Sequence, residues 1–394
     1  MIDENKEIVN GKIMNILIIG GTGVLSSAVT AEALKQGIAV TMINRGRRKM
    51  PEGVELIKAD MKDQSTIVTK LGDRKFDAVI DFLCYTDAQT ERSVKLYSRY
   101  TQQYFYISSC AVYDTARHNG KMADEEAEKV NPVWKYSVDK WASEDKLRSL
   151  LKDADINYTI IRPCVTYGDT RIPYGIMPPY GFHWTLCARI LAGKPVITWN
   201  GGKNRCNMTR VEDFAVGVVG LIGNPKAYNE AFNICGDETP TYNDVLHAVG
   251  EILNKDVITV DISPEFYAKE CPGKSGEILG GRAIDTINSN KKIKEIVPQF
   301  RQTIKLKEGL SRTIEAYKKG NYQKGIDWIF DGNTDRIIKK WIKKHNNKGN
   351  GYNLGFKNYL GNASIGDHLK YWMTFYKDNI LIHSIGKIFK QITK

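Results

Sequence analysis

The sequence has no Cys-x-x-Cys pair, and its six histidines do not gather around its seven cysteines. Zinc sites of the usual spacings are therefore excluded, and no metal is expected. The cysteines (Cys84, Cys110, Cys164, Cys187, Cys206, Cys235 and Cys271) are odd in number and scattered, so they give no disulfide framework. They read as reduced, mostly buried thiols of a cytoplasmic protein. No run of eighteen uncharged apolar residues occurs, and no membrane-spanning helix is expected. Residues 1–12 are polar and acidic, unlike a secretory leader. No internal repeat is visible.

Excess charge of one sign is confined to one end. The net charge is +12, yet residues 335–394 hold twelve Lys/Arg against three Asp/Glu, a net +9. The preceding 334 residues carry only +3. The basicity belongs to a C-terminal extension, so nucleic acid is not expected as a partner of the main domain. Within that extension Leu381, Ile385, Ile388, Phe389 and Ile392 share one helical face, opposite His383, Lys387, Lys390 and Lys394. This predicts a basic amphipathic helix. It would dock on protein, with an anionic membrane surface as the other reading.

What the chain does have is alternation. Short apolar runs at 14–19, 39–43, 54–57, 78–80, 104–107 and 158–161 are separated by longer mixed segments, with helices expected at 28–36, 183–192, 214–222 and 241–253. Strands alternating with helices predict an α/β fold. The expected form is a Rossmann-type doubly wound parallel sheet with a smaller C-terminal substrate-binding lobe. The expected divisions are an extension at 1–13, a dinucleotide domain at 14–170 that regains the chain at 205–235, a lobe at 171–330 and the basic extension at 331–394.

Three motifs carry chemistry. Gly20-Gly21-Thr22-Gly23-Val24-Leu25-Ser26 stands where the first strand meets the first helix. Gly20 allows a tight turn and Gly23 lets the backbone approach a pyrophosphate, with Ser26 in place of the usual third glycine. The second strand ends in Asn44-Arg45-Gly46-Arg47-Arg48, with no acid for a free 2′-hydroxyl. Three arginines there favour NADP over NAD. Asp60, beside Met61, is placed to meet the adenine amino group. Tyr136 and Lys140 lie four apart, one helical turn, so the ammonium can favour the phenolate. Ser109 follows the fifth strand, at the edge where ligands of open α/β sheets bind.

These residues, with Arg162-Pro163-Cys164-Val165-Thr166-Tyr167-Gly168 and Val211-Glu212-Asp213-Phe214-Ala215, give the chain its resemblance. It resembles an extended short-chain dehydrogenase/reductase of the sugar-nucleotide epimerase/dehydratase family over about residues 14–320. The resemblance implies a catalytic acid/base at Tyr136, a ribose-binding Lys140, an orienting Ser109 and a carboxamide loop starting at Pro163. It implies a dinucleotide held also by Thr22, Val24, Leu25, Asn44, Arg45, Asp60 and Met61. Tyr167, His183 and either Arg205 or Arg210 are expected to face a sugar-nucleotide substrate, in a homodimer; Cys110 stands beside them, but one residue off the epimerase thiol position its side chain points the other way and reads chiefly as buried packing.

Departures from the family pattern narrow the reaction. Dehydratases and decarboxylases of the family carry a Glu near the position of Ala111, and 3,5-epimerases carry a Cys there. Neither acid nor thiol stands at Ala111. Ser109, Tyr136 and Lys140 suffice for hydride transfer at one carbinol carbon. The expected activity is sugar-nucleotide epimerisation through a keto intermediate. The alternatives are an NADPH-dependent keto-sugar or other carbonyl reductase and, from another class, a non-catalytic RNA-associated protein on the same fold.

Overall fold

The structure is a computed structural model that describes residues 8–9, 12–118, 120–322, 325–345, 351–356 and 363–379. The amphipathic helix expected around 381–392 lies outside the described residues. No helix among the described residues is long and apolar enough to cross a membrane.

The chain divides into two units. The first comprises Met1–Gly168, Arg205–Thr239 and Ile284–Lys305, and the second Asp169–Asn204, Pro240–Ala283 and Leu306–Lys394. In chain order the first unit begins with β1 (Asn15–Ile19), α1 (Val24–Lys35), β2 (Ala39–Asn44), β3 (Val54–Lys58), α2 (Gln64–Leu71) and β4 (Ala78–Asp81). It continues with α3 (Asp87–Tyr97), β5 (Gln103–Ile107), α4 (Lys135–Leu151), β6 (Asn157–Pro163) and β7 (Val165–Tyr167). The second unit then supplies α5 (Trp184–Leu191) and β8 (Val196–Thr198). The first unit resumes with β9 (Met208–Arg210), α6 (Val211–Val219) and β10 (Glu230–Ile234). The second unit closes with α7 (Tyr242–Leu253), β11 (Thr259–Asp261), α8 (Leu306–Lys319), α9 (Trp328–Lys344) and α10 (Ile365–Phe375).

Seven parallel strands form the main sheet of the first unit, in the order β10-β6-β5-β4-β1-β2-β3. The near-continuous apolar strands follow from burial on both faces. Ile16 and Ile18 pack with α1 and α6, whereas Leu17 and Ile19 pack in the cluster of α2, α3 and α4. Beyond β1 the chain runs to β2 and β3, then crosses back to β4 and continues outward. That reversal opens a crevice at the carboxyl ends of β1 and β4.

Helix boundaries differ from the sequence reading by a few residues. α1 begins at Val24, four residues earlier than expected, because the glycine turn leads straight into it. α6 begins at Val211 and ends at Val219, before Gly220.

In the second unit β8 and β11 pair in parallel. Its apolar core includes Ile176, Trp199, Val260, Tyr267 and, from α9, Ile337 and Ile338. A division at 330 therefore falls inside a helix that helps build this core. Further buried bonds come from Asp331 and Asp335, which meet Arg189 and Lys194 at 2.6–2.8 Å.

Candidate active site

The β1–α1 turn has two glycines that the protein itself requires. Gly20 and Gly21 have φ of +102° and +63°. A Cβ on Gly21 would fall 2.1 Å from the Met42 sulfur. Gly23 differs: its φ is −85°, and an added Cβ would meet only Ser26 Oγ, at 3.4 Å. Nothing in the chain demands glycine there. The space it leaves adjoins the first turn of α1, whose Val24 and Leu25 N–H groups have no intrahelical acceptor. A pyrophosphate fits that cradle. Ser26 is buried, and its Oγ accepts from the Gly23 N–H at 2.9 Å.

Asn44 ends β2 with its amide engaged. Oδ1 accepts from the Gly46 N–H at 2.6 Å, and Nδ2 faces the sulfurs of Met42 and Met50. Arg45 and Arg47 are exposed, and Arg48 donates to the Thr22 carbonyl. A guanidinium thus sits against the glycine turn. Asp60 is exposed and accepts from the Lys62 N–H at 2.9 Å, next to half-buried Met61.

Tyr136 and Lys140 occupy the first two turns of α4. Tyr136 is half-buried, its ring 5.4 Å from that of Trp134. Lys140 is buried, and its Nζ donates to the carbonyls of Cys84 at 2.7 Å and Ile107 at 2.8 Å. The rings of Tyr85 and Tyr106 each lie 4.9 Å from Nζ. An ammonium has three donors, so one is left for a ligand. Burial pushes Lys140 down to about 8.

Ser109 lies two residues beyond β5. Its Oγ accepts from the Ala111 N–H at 3.1 Å, capping the short turn Cys110–Val112. The hydroxyl proton remains available to donate. Cys110, two residues from Val112, turns inward: its buried thiol donates to the Arg162 carbonyl at 3.1 Å. That bond fixes it as a packing residue, away from the position expected of a substrate contact.

β7 and β9 pair in parallel and set Tyr167 opposite Arg210. The Arg210 guanidinium lies 5.7 Å from the Tyr167 ring and pairs with Glu212 at 2.8 Å. Arg210 is buried, while Arg205 is half exposed and holds Asp285 at 3.2 Å. Pro163 ends β6, in register with Ile234 of β10. His183 belongs to the second unit, where Nδ1 accepts from the Ile172 N–H at 3.0 Å.

Residues 16–235 match the sequence pattern of the NAD dependent epimerase/dehydratase family. The chain belongs to this family. It is 28% identical over 82% of its length to the Arabidopsis thaliana chloroplast stem-loop binding protein of 41 kDa b, covering 84% of that protein. It is 20% identical over 65% of its length to 2'-dehydrokanamycin reductase of Streptomyces kanamyceticus, covering 72% of that enzyme. The UDP-glucose 4-epimerase of Thermotoga maritima, solved with UDP-glucose, has the same fold: TM-score 0.62, 18% identity, 78% of this chain and 100% of that one. By family and fold this epimerase/dehydratase member is an NAD-dependent enzyme of the extended short-chain dehydrogenase/reductase type.

Behind the site of this family member lies a buried ionic network that sequence reasoning missed. Glu144, one turn beyond Lys140, accepts from Ser108 Oγ at 2.6 Å and from Arg162 Nε and Nη2 at 2.9 and 2.7 Å. Arg162 Nη1 donates to the Tyr113 hydroxyl at 2.9 Å, which donates to Asn233 Oδ1 at 2.6 Å. Burial pushes the Glu144 carboxyl up, but Arg162, Arg148 and Ser108 outweigh it and hold the group below the ordinary carboxylate range. One carboxylate therefore links the helix of Tyr136 and Lys140, the residue before Ser109 and the residue before Pro163. A signal existed in the sequence. Glu144 continues the four-residue spacing of Tyr136 and Lys140 along one helical face.

Proposed function

We propose that the chain epimerises one carbinol carbon of a sugar nucleotide through a keto intermediate, with a nicotinamide dinucleotide as bound cofactor. The observation that carries this reading is Lys140. It is a buried ammonium with one donor left, one turn from Tyr136 on the helix that flanks the crevice. Tyr136 takes the proton of the substrate hydroxyl and later returns it. Lys140 favours the phenolate and holds a ribose hydroxyl. Ser109 donates its free proton to the substrate oxygen. A bound nicotinamide would supply the hydride acceptor and donor for that carbon.

The dinucleotide rests on Gly20, Thr22, Gly23, Val24 and Leu25, with Asp60 and Met61 toward the adenine. NADP is the favoured form. Asn44 is already engaged, no acid stands beside it, and exposed Arg45 and Arg47, with Arg48 against the glycine turn, would meet a 2′-phosphate. Arg210 and Tyr167 are assigned to the nucleotide diphosphate, in preference to Arg205. Net reduction of a keto sugar needs the same three groups, and the similarity to a protein named 2'-dehydrokanamycin reductase favours keeping that variant.

One experiment separates these readings. The purified protein is denatured, and released dinucleotide and co-purified sugar nucleotide are identified by mass spectrometry. Retained dinucleotide supports epimerisation. Dinucleotide that is lost on purification and consumed one-for-one with a keto sugar supports reduction. Tyr136→Phe should lower either turnover by at least about a hundredfold while dinucleotide binding persists; unchanged turnover would remove Tyr136 from the chemistry.

A second reading is an added capacity to bind RNA. It is favoured by the similarity, over 82% of the chain, to a protein named for stem-loop binding.

A further inference from the structure

A second concavity lies in the first unit, on the sheet face covered by α2, α3 and α4. The groove between α2 and α3 is shallow and open to solvent, with a volume of about 490 Å³. From α3 and the turn after it come Arg92, Lys95 and Arg99; from α2 come Gln64, Ser65 and Thr69. All six are exposed. Steps of three and four residues set the cations along one helical face, over about 10 Å of axis. No carboxylate lines the groove. Lys95 pairs with Glu91 at 2.6 Å, whereas Arg92 and Arg99 make no ion pair among the described residues.

This arrangement suits a chain of phosphates better than one phosphate. A single dianion would need its cations converging on one point, whereas these are strung out along the groove. Cations strung along about 10 Å can meet successive phosphates of one strand. Guanidinium forks bind phosphate oxygens bidentately, and Gln64 supplies a neutral donor of the kind common at nucleic-acid backbones; the Ser65 and Thr69 hydroxyls already donate, to Asp63 Oδ1 at 2.9 Å and to the Ser65 carbonyl at 3.0 Å. None of the six residues belongs to the glycine turn or to the Tyr136–Lys140 helix.

We propose that the α2–α3 groove holds the phosphodiester backbone of RNA. The inference rests on the RNA reading given above and names its site.

The test uses the full chain and a fluorescently labelled RNA stem-loop, titrated by anisotropy between 50 and 200 mM salt. Arg92→Ala/Arg99→Ala should weaken binding at least about tenfold and reduce the slope of log affinity against log salt by about 1.5–2, the loss of two phosphate contacts. Lys121→Ala/Lys226→Ala, exposed cations elsewhere in the same unit, should change neither quantity. NADPH binding, followed in parallel, reports that the variants remain folded. Equal affinity of the arginine variant and the parent, or an equal loss in the control pair, would overturn the site. Absence of RNA binding by the parent would instead overturn the RNA reading itself, and the site with it.

Discussion

Each unit buries carboxylates against cations, but the two clusters are used differently. In the first unit Glu144 meets Arg162 and Ser108 within elements that carry Tyr136, Lys140, Ser109 and Pro163. In the second, Asp331 and Asp335 meet Arg189 and Lys194, and Asp335 also accepts from the Tyr371 hydroxyl and the Gly355 N–H. That cluster joins α5, the turn before β8, α9 and α10, and none of its members was expected at the site. Buried ion pairs are weak evidence of net stability, because desolvation offsets attraction; removing one partner is nonetheless costly. The difference is what else is lost. On the proposed function the first cluster positions reacting groups, whereas the second closes the C-terminal helices onto their own unit.

The largest effects should come from deleting one charge in each cluster. Asp335→Ala leaves Lys194 and Arg189 short of an acceptor and should cost about 3–5 kcal/mol. Five of the seven tryptophans lie in the second unit, so denaturant unfolding followed by tryptophan fluorescence reads this loss directly. Dinucleotide binding should persist. Glu144→Ala should cost a similar amount, but with turnover and dinucleotide binding both reduced. If the two variants impair dinucleotide binding equally, the clusters do not differ in the way described.

Titration offers a second contrast, somewhat smaller. Burial, and then the nearby Arg171 cation, push His183 down to about 4. The unfolded chain then binds more protons than the folded one between about pH 6.5 and 4. Stability should fall as pH drops through that window, by up to about 3 kcal/mol. The measurement is urea unfolding of the parent and of His183→Asn, whose stability should be nearly flat there. Lys140, in the first unit, is depressed to about 8 from 10.5. At Lys140 the unfolded chain binds more protons between about pH 8 and 10.5, so this residue's contribution to stability should rise with pH across that range, again by up to about 3 kcal/mol. Lys140→Met should remove the rise. Buried Cys84, Cys110, Cys187 and Cys235, held above the ordinary thiol range, act in the opposite sense, so the quantity read is the stability difference between parent and Lys140→Met; a difference that is level from pH 8 to 10.5 would show that Lys140 stays charged when folded.

The same contrast governs what could be read in advance. The glycine turn, the Tyr136–Lys140 spacing and the apolar strands are local patterns, and the sheet and its crevice follow from them. Glu144 and Arg162 are 18 residues apart, and Arg189 and Asp331 are 142 apart. Such pairs have no local periodicity to announce them. The net +9 of residues 335–394 suggested a detached basic tail. A charge sum weights every residue alike, whereas Asp335 alone, one of three acids there, holds two buried cations. Cys110 shows what a local offset does carry: one residue off Ala111, it reads as an inward packing thiol, and its buried Sγ donates to the Arg162 carbonyl.

The smallest and sharpest comparison removes a single hydroxyl from each buried carboxylate. Ser108→Ala deletes the donor to Glu144 and keeps Arg162 in place; Tyr371→Phe deletes the donor to Asp335 and keeps the ring. Each loses one hydrogen bond to a charged group, about 1.5–3 kcal/mol, with no charge left unpaired. Equilibrium unfolding should therefore report similar losses for the two variants. Kinetics should not. Ser108 adjoins Ser109, and slack in its attachment to Glu144 would move the hydroxyl proposed to meet the substrate oxygen, so kcat should fall several-fold with KM little changed. Tyr371→Phe should leave both constants at the parent values at temperatures where it is folded. Equal kcat in the two variants would reduce Glu144 to a packing role and leave the clusters alike in function as well as in chemistry.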